Sequence, residues 1–262
     1  MASGKQWTRN ELLIALNLYH KLNFGQFDAH NRAVIDLAKK LGRTPGSVAM
    51  KLSNLASLDP VLKLRGISGL KGASHRDREV WDEFHAILPE MVEKSETLLR
   101  ELFAPEGSVE VIPAKGILRR PPTPTMPTET TTPQKRRLGQ DYFRQIVLNN
   151  FDGACGVCGL NIRELLVASH ILPWASNPAA RLDIRNGLCL SRLHDAAFDQ
   201  GLISFDADLR LILSSRLKNR LSQKSIEQNF IAHEKHSLTL PPQAIPPNEK
   251  YLDRHRNEIF QN

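Results

Sequence analysis

One histidine–asparagine–histidine pattern restricts the fold of this chain more than any other feature, and it consists of His170, Asn186 and His194. His170 follows a short apolar run at 165–168, and a second apolar run occupies 188–190. Residues 192–198 have helical spacing and carry His194 near their start. This order predicts a strand, a loop, a second strand and a helix arranged around one metal ion.

The length of 262 residues predicts two domains. The expected fold class of the whole chain is α+β, with a mostly helical N-terminal domain and a C-terminal domain that mixes strands and helices. The net charge of +7 permits a polyanionic partner without proving one. No apolar run approaches the roughly 18 residues of a transmembrane helix, so we expect no membrane association. Three cysteines are an odd number and argue against a disulfide framework, which predicts a cytoplasmic protein.

Residues 5–102 predict a helical domain with a helix-turn-helix or winged-helix organisation. Ala38, Gly42 and Val48 have the spacing of two helices that pack closely across a tight turn. Residues 62–72 are interrupted by glycines and basic, which predicts a small wing. The outward face of the second helix is expected to read duplex DNA through Thr44, Ser47, Lys51 and Asn54. An ordinary helical hairpin without a ligand is the alternative.

Residues 103–137 predict a linker, because prolines alternate with threonines and apolar periodicity is lost. Its last residues, Lys135, Arg136 and Arg137, form the clearest basic cluster of the chain. The cluster is interpreted either as a DNA phosphate contact or as a solvated run of charges.

Residues 138–262 carry motifs that resemble the HNH endonuclease family with its ββα-metal fold. The motifs are Ser169–Trp174, Arg185–Leu188 and His194–Gly201, with weaker similarity at Leu138–Arg144 and Tyr251–Arg256. The resemblance implies that His170 is the general base of phosphodiester hydrolysis, and that His194 binds a divalent ion at the scissile phosphate. Asn186 either binds the metal or fixes the loop. We expect Mg²⁺ or Mn²⁺, with Ni²⁺ or Co²⁺ as alternatives.

The sequence departs from the family pattern at two metal-ligand positions. Ser169 precedes the expected base where many members have Asp or His, and Phe198 takes the place of a helix ligand. Asp199 can reach the ion only if the helix ends at Phe198. The expected ligands are therefore His194, Asn186, Ser169 and Asp199.

Three thiols, Cys155, Cys158 and Cys189, offer an incomplete zinc site, because a tetrahedral site needs a fourth donor. Packing of the thiols as small apolar groups is the favoured interpretation, so structural Zn²⁺ is not expected.

The domain order resembles that of modification-dependent restriction enzymes, in which a reader of modified bases is fused to an HNH nuclease. The expected partner is double-stranded DNA, possibly methylated, and a flexible tether predicts cleavage at a variable distance from the bound site. One site cuts one strand, so a double-strand break requires transient homodimerisation on DNA. Two alternatives remain open at this stage: a DNA-binding regulator with a degenerate HNH fold, and a homing-type or phage-associated nuclease.

Overall fold

The computed structural model describes residues 6–67, 69–104, 107–120, 133–175, 177–220 and 223–262. The chain divides into two compact units, Met1–Gln145 and Ile146–Asn262. Both helices and small two-stranded sheets are present, which confirms the α+β class. No helix in the described part of the chain has both the length and the apolar character that a membrane span requires.

The first unit is mainly helical. Its elements are α1 Arg9–Lys21, α2 Arg32–Leu41, α3 Pro45–Ala56, α4 Pro60–Leu64, α5 His75–Ala86, α6 Leu88–Phe103, β1 Ser108–Ile112 and β2 Gly116–Arg120, and α7 Pro133–Asn150 contains the boundary between the units. Thr8 and Glu11 form a capping box at the start of α1, and Thr44 caps α3 with Pro45 in the first turn. These caps satisfy amide groups that a helix leaves unpaired at its N-terminus.

The turn between α2 and α3 has the close packing that the sequence predicts. Ala38 and Val48 are fully buried, and Gly42 adopts a left-handed conformation with φ of 62°. A side chain at this φ would be strained, so glycine suits the turn. The helical hairpin is therefore present, while its reading of DNA stays a prediction.

Two expectations for the first unit are corrected. Residues 62–72 complete α4 and continue as turns, and apart from Ser68, which lies outside the described residues, they contain no strand. The predicted linker is partly ordered, because β1 and β2 pair as an antiparallel hairpin. The Ile117 amide donates to Asp36 Oδ2 (3.0 Å), and the Val111 amide donates to Gln145 Oε1 (2.8 Å). The proline-rich composition predicted that the entropy cost of ordering would keep this segment flexible. These contacts offset that cost.

The second unit builds its core around two hairpins and a helix. It contains β3 Leu166–His170, β4 Gly187–Ser191, α8 Arg192–Asp199, β5 Ile203–Phe205, β6 Leu211–Leu213, α9 Ser215–Lys218, α10 Lys224–Asn229 and α11 Glu249–Glu258. Phe198 is fully buried and stacks on His255 of α11, with ring centroids 3.7 Å apart. Gly201 follows α8 with φ of 65°, and a Cβ there would lie only 2.0 Å from Ile259 O. Packing against α11 thus fixes where α8 ends.

Candidate active site

The strands β3 and β4 and the helix α8 form one continuous supersecondary unit. In the antiparallel register His170 lies opposite Gly187, and Ser169 lies opposite Leu188. Ser191 ends β4 and caps α8 by accepting a hydrogen bond from the His194 amide. The chain therefore passes directly from the second strand into the helix, as the sequence predicts.

His170 lies at the end of β3 and is half-buried. Its Nε2 is 3.0 Å from Arg181 O, and because a carbonyl only accepts hydrogen bonds, Nε2 carries the proton and Nδ1 the lone pair. Burial lowers the pKa of His170, while the hydrogen bond to Arg181 acts in the opposite direction. The imidazole is therefore neutral at pH 7 and held in one orientation, which are the properties of a proton acceptor.

Asn186 acts as a clamp on the loop that follows His170. Its side chain is almost completely buried. Oδ1 accepts from the Leu172 amide (2.8 Å), and Nδ2 donates to Leu172 O (3.2 Å) and Ala180 O (3.0 Å). The amide oxygen uses one of its two lone pairs in the bond from Leu172, so the expectation that Asn186 is a metal ligand stays a prediction. Of the two roles considered for it, fixing the loop is the one that its contacts support.

Two carboxylates lie on one face of α8: Asp199, which is one of the expected ligands, and Asp195, which the sequence pattern did not indicate. The helix continues through Asp199, so Asp195 and Asp199 are four residues apart on one face. Burial raises the pKa of Asp195, although the Ser169 hydroxyl and the Arg192 guanidinium act in the opposite direction. Burial and the neighbouring Asp195 carboxylate raise the pKa of Asp199 to about 6. Two neighbouring carboxyl groups thus both have raised pKa values, and such clusters of shifted pKa values are typical of functional sites.

The carboxylates of Asp195 and Asp199 and the neighbouring Ser169 hydroxyl offer oxygen donors of the kind that divalent cations bind. Ser169 Oγ is buried and has no partner in good hydrogen-bond geometry among the described residues, although it lies close enough to Asp195 to lower the pKa of that carboxyl. Hard cations such as Mg²⁺ and Mn²⁺ prefer carboxylate and other oxygen donors, and a cation would remove the repulsion between the carboxylates. Asp199 lies on a different face of α8 from His194, which was the reason to doubt it as a ligand. That reason no longer applies, because the residue that shares its face is Asp195.

His194 lies in a different cluster from the one expected. It is buried, its Nε2 donates to Asn229 O (2.8 Å), and its Nδ1 lies 2.9 Å from Ser191 Oγ and 3.6 Å from Cys155 Sγ. The ligand atoms of Cys155, Cys158 and His194 all lie within 4.8 Å of one another. The prediction of His194 as a ligand at the scissile phosphate conflicts with this burial and with these contacts.

The thiol cluster differs from the predicted set in its third member. Cys189 is buried in β4 opposite Ala168 and does not belong to the group of donors. Burial opposes ionisation of Cys155, but hydrogen bonds from His194 and from backbone amides outweigh it and lower the pKa of the thiol to about 6. Burial likewise opposes charging of His194, and contact with Cys155 raises the pKa of the imidazole. Two sulfurs and an imidazole nitrogen are the donors that Zn²⁺ prefers.

An arginine lies beside the histidine at the end of β3. The guanidinium of Arg181 is 5.3 Å from the centroid of the Trp174 ring, and its Nε donates to Trp174 O (2.7 Å). The Trp174 ring meets His170 edge-on, with centroids 5.3 Å apart. By contrast, Arg185 is paired with Asp183 (2.8 Å). A cation that no described carboxylate neutralises therefore lies close to the proton acceptor.

The predicted DNA-contacting residues of the first unit separate into two groups. Thr44 is exposed and Ser47 is partly exposed. Lys51 and Asn54 are buried, and Lys51 Nζ bonds both carboxylate oxygens of Asp77 at 2.8 Å. The expectation that Lys51 and Asn54 face outward is therefore wrong. Lys135, Arg136 and Arg137 lie in α7, and their side chains are outside the described residues.

An HNH endonuclease family model matches residues 155–206 of the chain. The match begins at Cys155 and covers β3, β4, α8 and β5, so it contains His170, Asn186, Asp195 and Asp199. No curated protein matches the chain significantly. The match supports an HNH endonuclease domain in the second unit.

Proposed function

We propose that this chain is a metal-dependent DNA endonuclease in which His170 is the general base. The observation that carries the proposal is a neutral histidine, oriented by the Arg181 carbonyl, on the strand that packs against the helix bearing Asp195 and Asp199. The match to the HNH family over the same residues supports the reaction class.

Phosphodiester hydrolysis needs an activated water, stabilisation of the developing charge and departure of the 3′ oxygen. Nδ1 of neutral His170 accepts a proton from water as the water oxygen bonds to phosphorus. The bond from phosphorus to the 3′ oxygen then breaks, and that oxygen takes a proton from solvent. The Nε2–H bond to Arg181 O holds the ring in place and supports the positive charge that it gains.

Asp195 and Asp199 would hold the divalent cation, with the Ser169 hydroxyl beside them. When bound, the cation supplies charge neutralisation at the phosphate and at the leaving oxygen. The guanidinium of Arg181, which lies over the Trp174 ring, would add a second positive charge, and we assign it to a nonbridging phosphate oxygen. Asn186 maintains the loop between these groups.

Cys155, Cys158 and His194 would supply three of the four donors that a separate structural zinc site needs. Their proximity brings the turn at residues 155–159 against the first turn of α8. A bound Zn²⁺ would cross-link these two segments without taking part in hydrolysis.

The first unit would bring the nuclease to duplex DNA, and we propose that this unit also recognises methylated bases. The regulator alternative depended on Ser169 and Phe198 as missing ligands. Phe198 packs in the core against His255, and α8 offers carboxylates on its other face, so this alternative is not favoured. A double-strand break would need two copies of the chain on one DNA, each cutting one strand.

Nicking of supercoiled plasmid with Mg²⁺ or Mn²⁺ tests the proposal. Wild-type protein should nick, and the variant Asp195→Asn/Asp199→Asn should lose activity at low metal concentration, since its neutral amides bind cations weakly. Asp206→Asn/Asp208→Asn changes a partly exposed and an exposed carboxylate between β5 and β6; it is the matched control and should nick normally. Plasmids prepared with and without adenine and cytosine methylation separate a modification-dependent enzyme from one that cuts all DNA. Equal activity of both double variants would refute the assignment of the site.

A further inference from the structure

Charges in the first unit are segregated around α3. Between Arg43 and Arg78 the sequence contains two carboxylates, Asp59 and Asp77, and both are buried. Asp59 accepts from Tyr19 Oη (2.6 Å) and from the Val61 amide (2.7 Å), and Asp77 is paired with Lys51. This stretch therefore presents basic side chains to solvent without exposed acidic ones.

The loop after α4 lies directly on α3. The Leu70 amide donates to Ser53 O (3.1 Å), and a Cβ on Gly69 would lie 2.3 Å from the same oxygen. A Cβ on Gly72 would lie 2.9 Å from Asn54 Oδ1. The loop therefore covers the C-terminal half of α3, which explains why Asn54 is buried, and leaves Ser47 and Met50 accessible.

Basic and apolar side chains surround the open half of α3. Met50 is 59% exposed and Leu70 is 53% exposed, and Lys71 and Arg76 are exposed. Arg76 Nη1 donates to Trp7 O (3.3 Å), while Lys51 of α3 lies 5.5 Å from the centroid of the Trp7 ring. These contacts place Arg76 beside α3, and the hydrogen bond to Ser53 places Leu70 one turn beyond Met50.

We infer that Ser47, Met50, Leu70, Lys71 and Arg76 form one surface, the α3 surface, that binds duplex DNA. The basic side chains would contact phosphates, and Met50 and Leu70 would contact the edges of bases such as the thymine methyl group. The inference rests on the proposed function, which makes DNA the substrate. Lys51 and Asn54 were expected to contact DNA but are buried. The α3 surface consists of accessible side chains instead.

Binding of a mixed-sequence duplex of about 30 base pairs, measured with the full chain without added Mg²⁺ or Mn²⁺, tests the inference. Each phosphate-contacting cation removed should lower the slope of log Kd against log salt by about 1, so Lys71→Gln/Arg76→Gln should lower it by about 2. The control Lys94→Gln/Lys115→Gln removes two exposed charges elsewhere and should bind as wild type does.

A second variant tests the apolar part without removing a cation. Met50→Glu places a carboxylate in the α3 surface and should weaken binding at least tenfold, whereas Met50→Gln should weaken it less. Variants that match the control, a wild-type chain that does not bind the duplex, or preference for single-stranded RNA of the same length would each overturn the inference. Plasmid nicking is measured in a separate assay. If the α3 surface variants bind DNA normally while the wild type nicks plasmid, the α3 surface is wrong and the nuclease assignment is unaffected.

Discussion

The amide of Asn186 provides a prediction that separates a clamp from a metal ligand. It makes three hydrogen bonds inside the loop, at 2.8, 3.2 and 3.0 Å, and its side chain is shielded from solvent. Each such bond contributes about 1 kcal/mol net, so Asn186→Ala should lower the free energy of local opening by about 3 kcal/mol. This change corresponds to roughly a 100-fold larger population of the open loop.

Hydrogen exchange followed by mass spectrometry measures this opening in the full chain. Peptides that contain Leu172 should exchange roughly 100-fold faster in Asn186→Ala than in wild type, because the Leu172 amide loses its acceptor. Asn257→Ala, a change at an exposed asparagine of α11, is the control and should leave these peptides unchanged.

Asn186→Asp makes the test decisive. A carboxylate keeps an acceptor for the Leu172 amide but repels the carbonyls of Leu172 and Ala180, and it is charged in a buried position. The clamp therefore predicts fast exchange and poor nicking for this variant. A variant with normal exchange and with nicking equal to wild type would refute the clamp, because only a metal ligand tolerates that change.

Three further predictions follow from the two units. The pKa values of His20 and His255 are lowered to about 3 and about 4 from 6.5 by burial, so only the unfolded chain binds these protons near pH 5. The free energy of unfolding is therefore highest above pH 6.5. As the pH falls toward 4, each histidine lowers it by about 1.4 kcal/mol per pH unit. A Tm that is unchanged between pH 7 and pH 5 would contradict this. Arg181→Gln should slow nicking at least tenfold and Arg185→Gln less, as plasmid assays would show; equal rates would remove Arg181 from the site. Metal analysis should find about one zinc ion per chain and none in Cys155→Ser, whereas a metal-free wild type would reject that site.

Local signals were sufficient to predict several elements of the fold. The apolar runs predict β3 and β4 correctly. The capping residues Thr8 and Thr44 mark the starts of α1 and α3. These features depend on nearby residues, so a single sequence contains most of the necessary information. The β1–β2 hairpin was missed because its stability comes from contacts with distant residues such as Asp36 and Gln145.

The candidate site was predicted less completely because its parts depend on which helix face meets the strand. His170 lies at the end of β3, as the sequence predicts, whereas its catalytic role stays a prediction. The spacing of four residues between Asp195 and Asp199 is a sequence signal for a shared helix face. It was missed because the expected ligand on the helix was His194. Lys51 was misplaced because its partner, Asp77, lies on another helix, and such pairing cannot be derived from a helical wheel.

The central claim is that His170 activates water, and the nicking rate of His170→Ala at saturating DNA tests it most directly. The account predicts a rate at least about 100-fold below wild type, with duplex affinity unchanged in a parallel binding assay. A variant that binds DNA normally and nicks within about threefold of wild type would contradict the account, since removal of a general base costs far more.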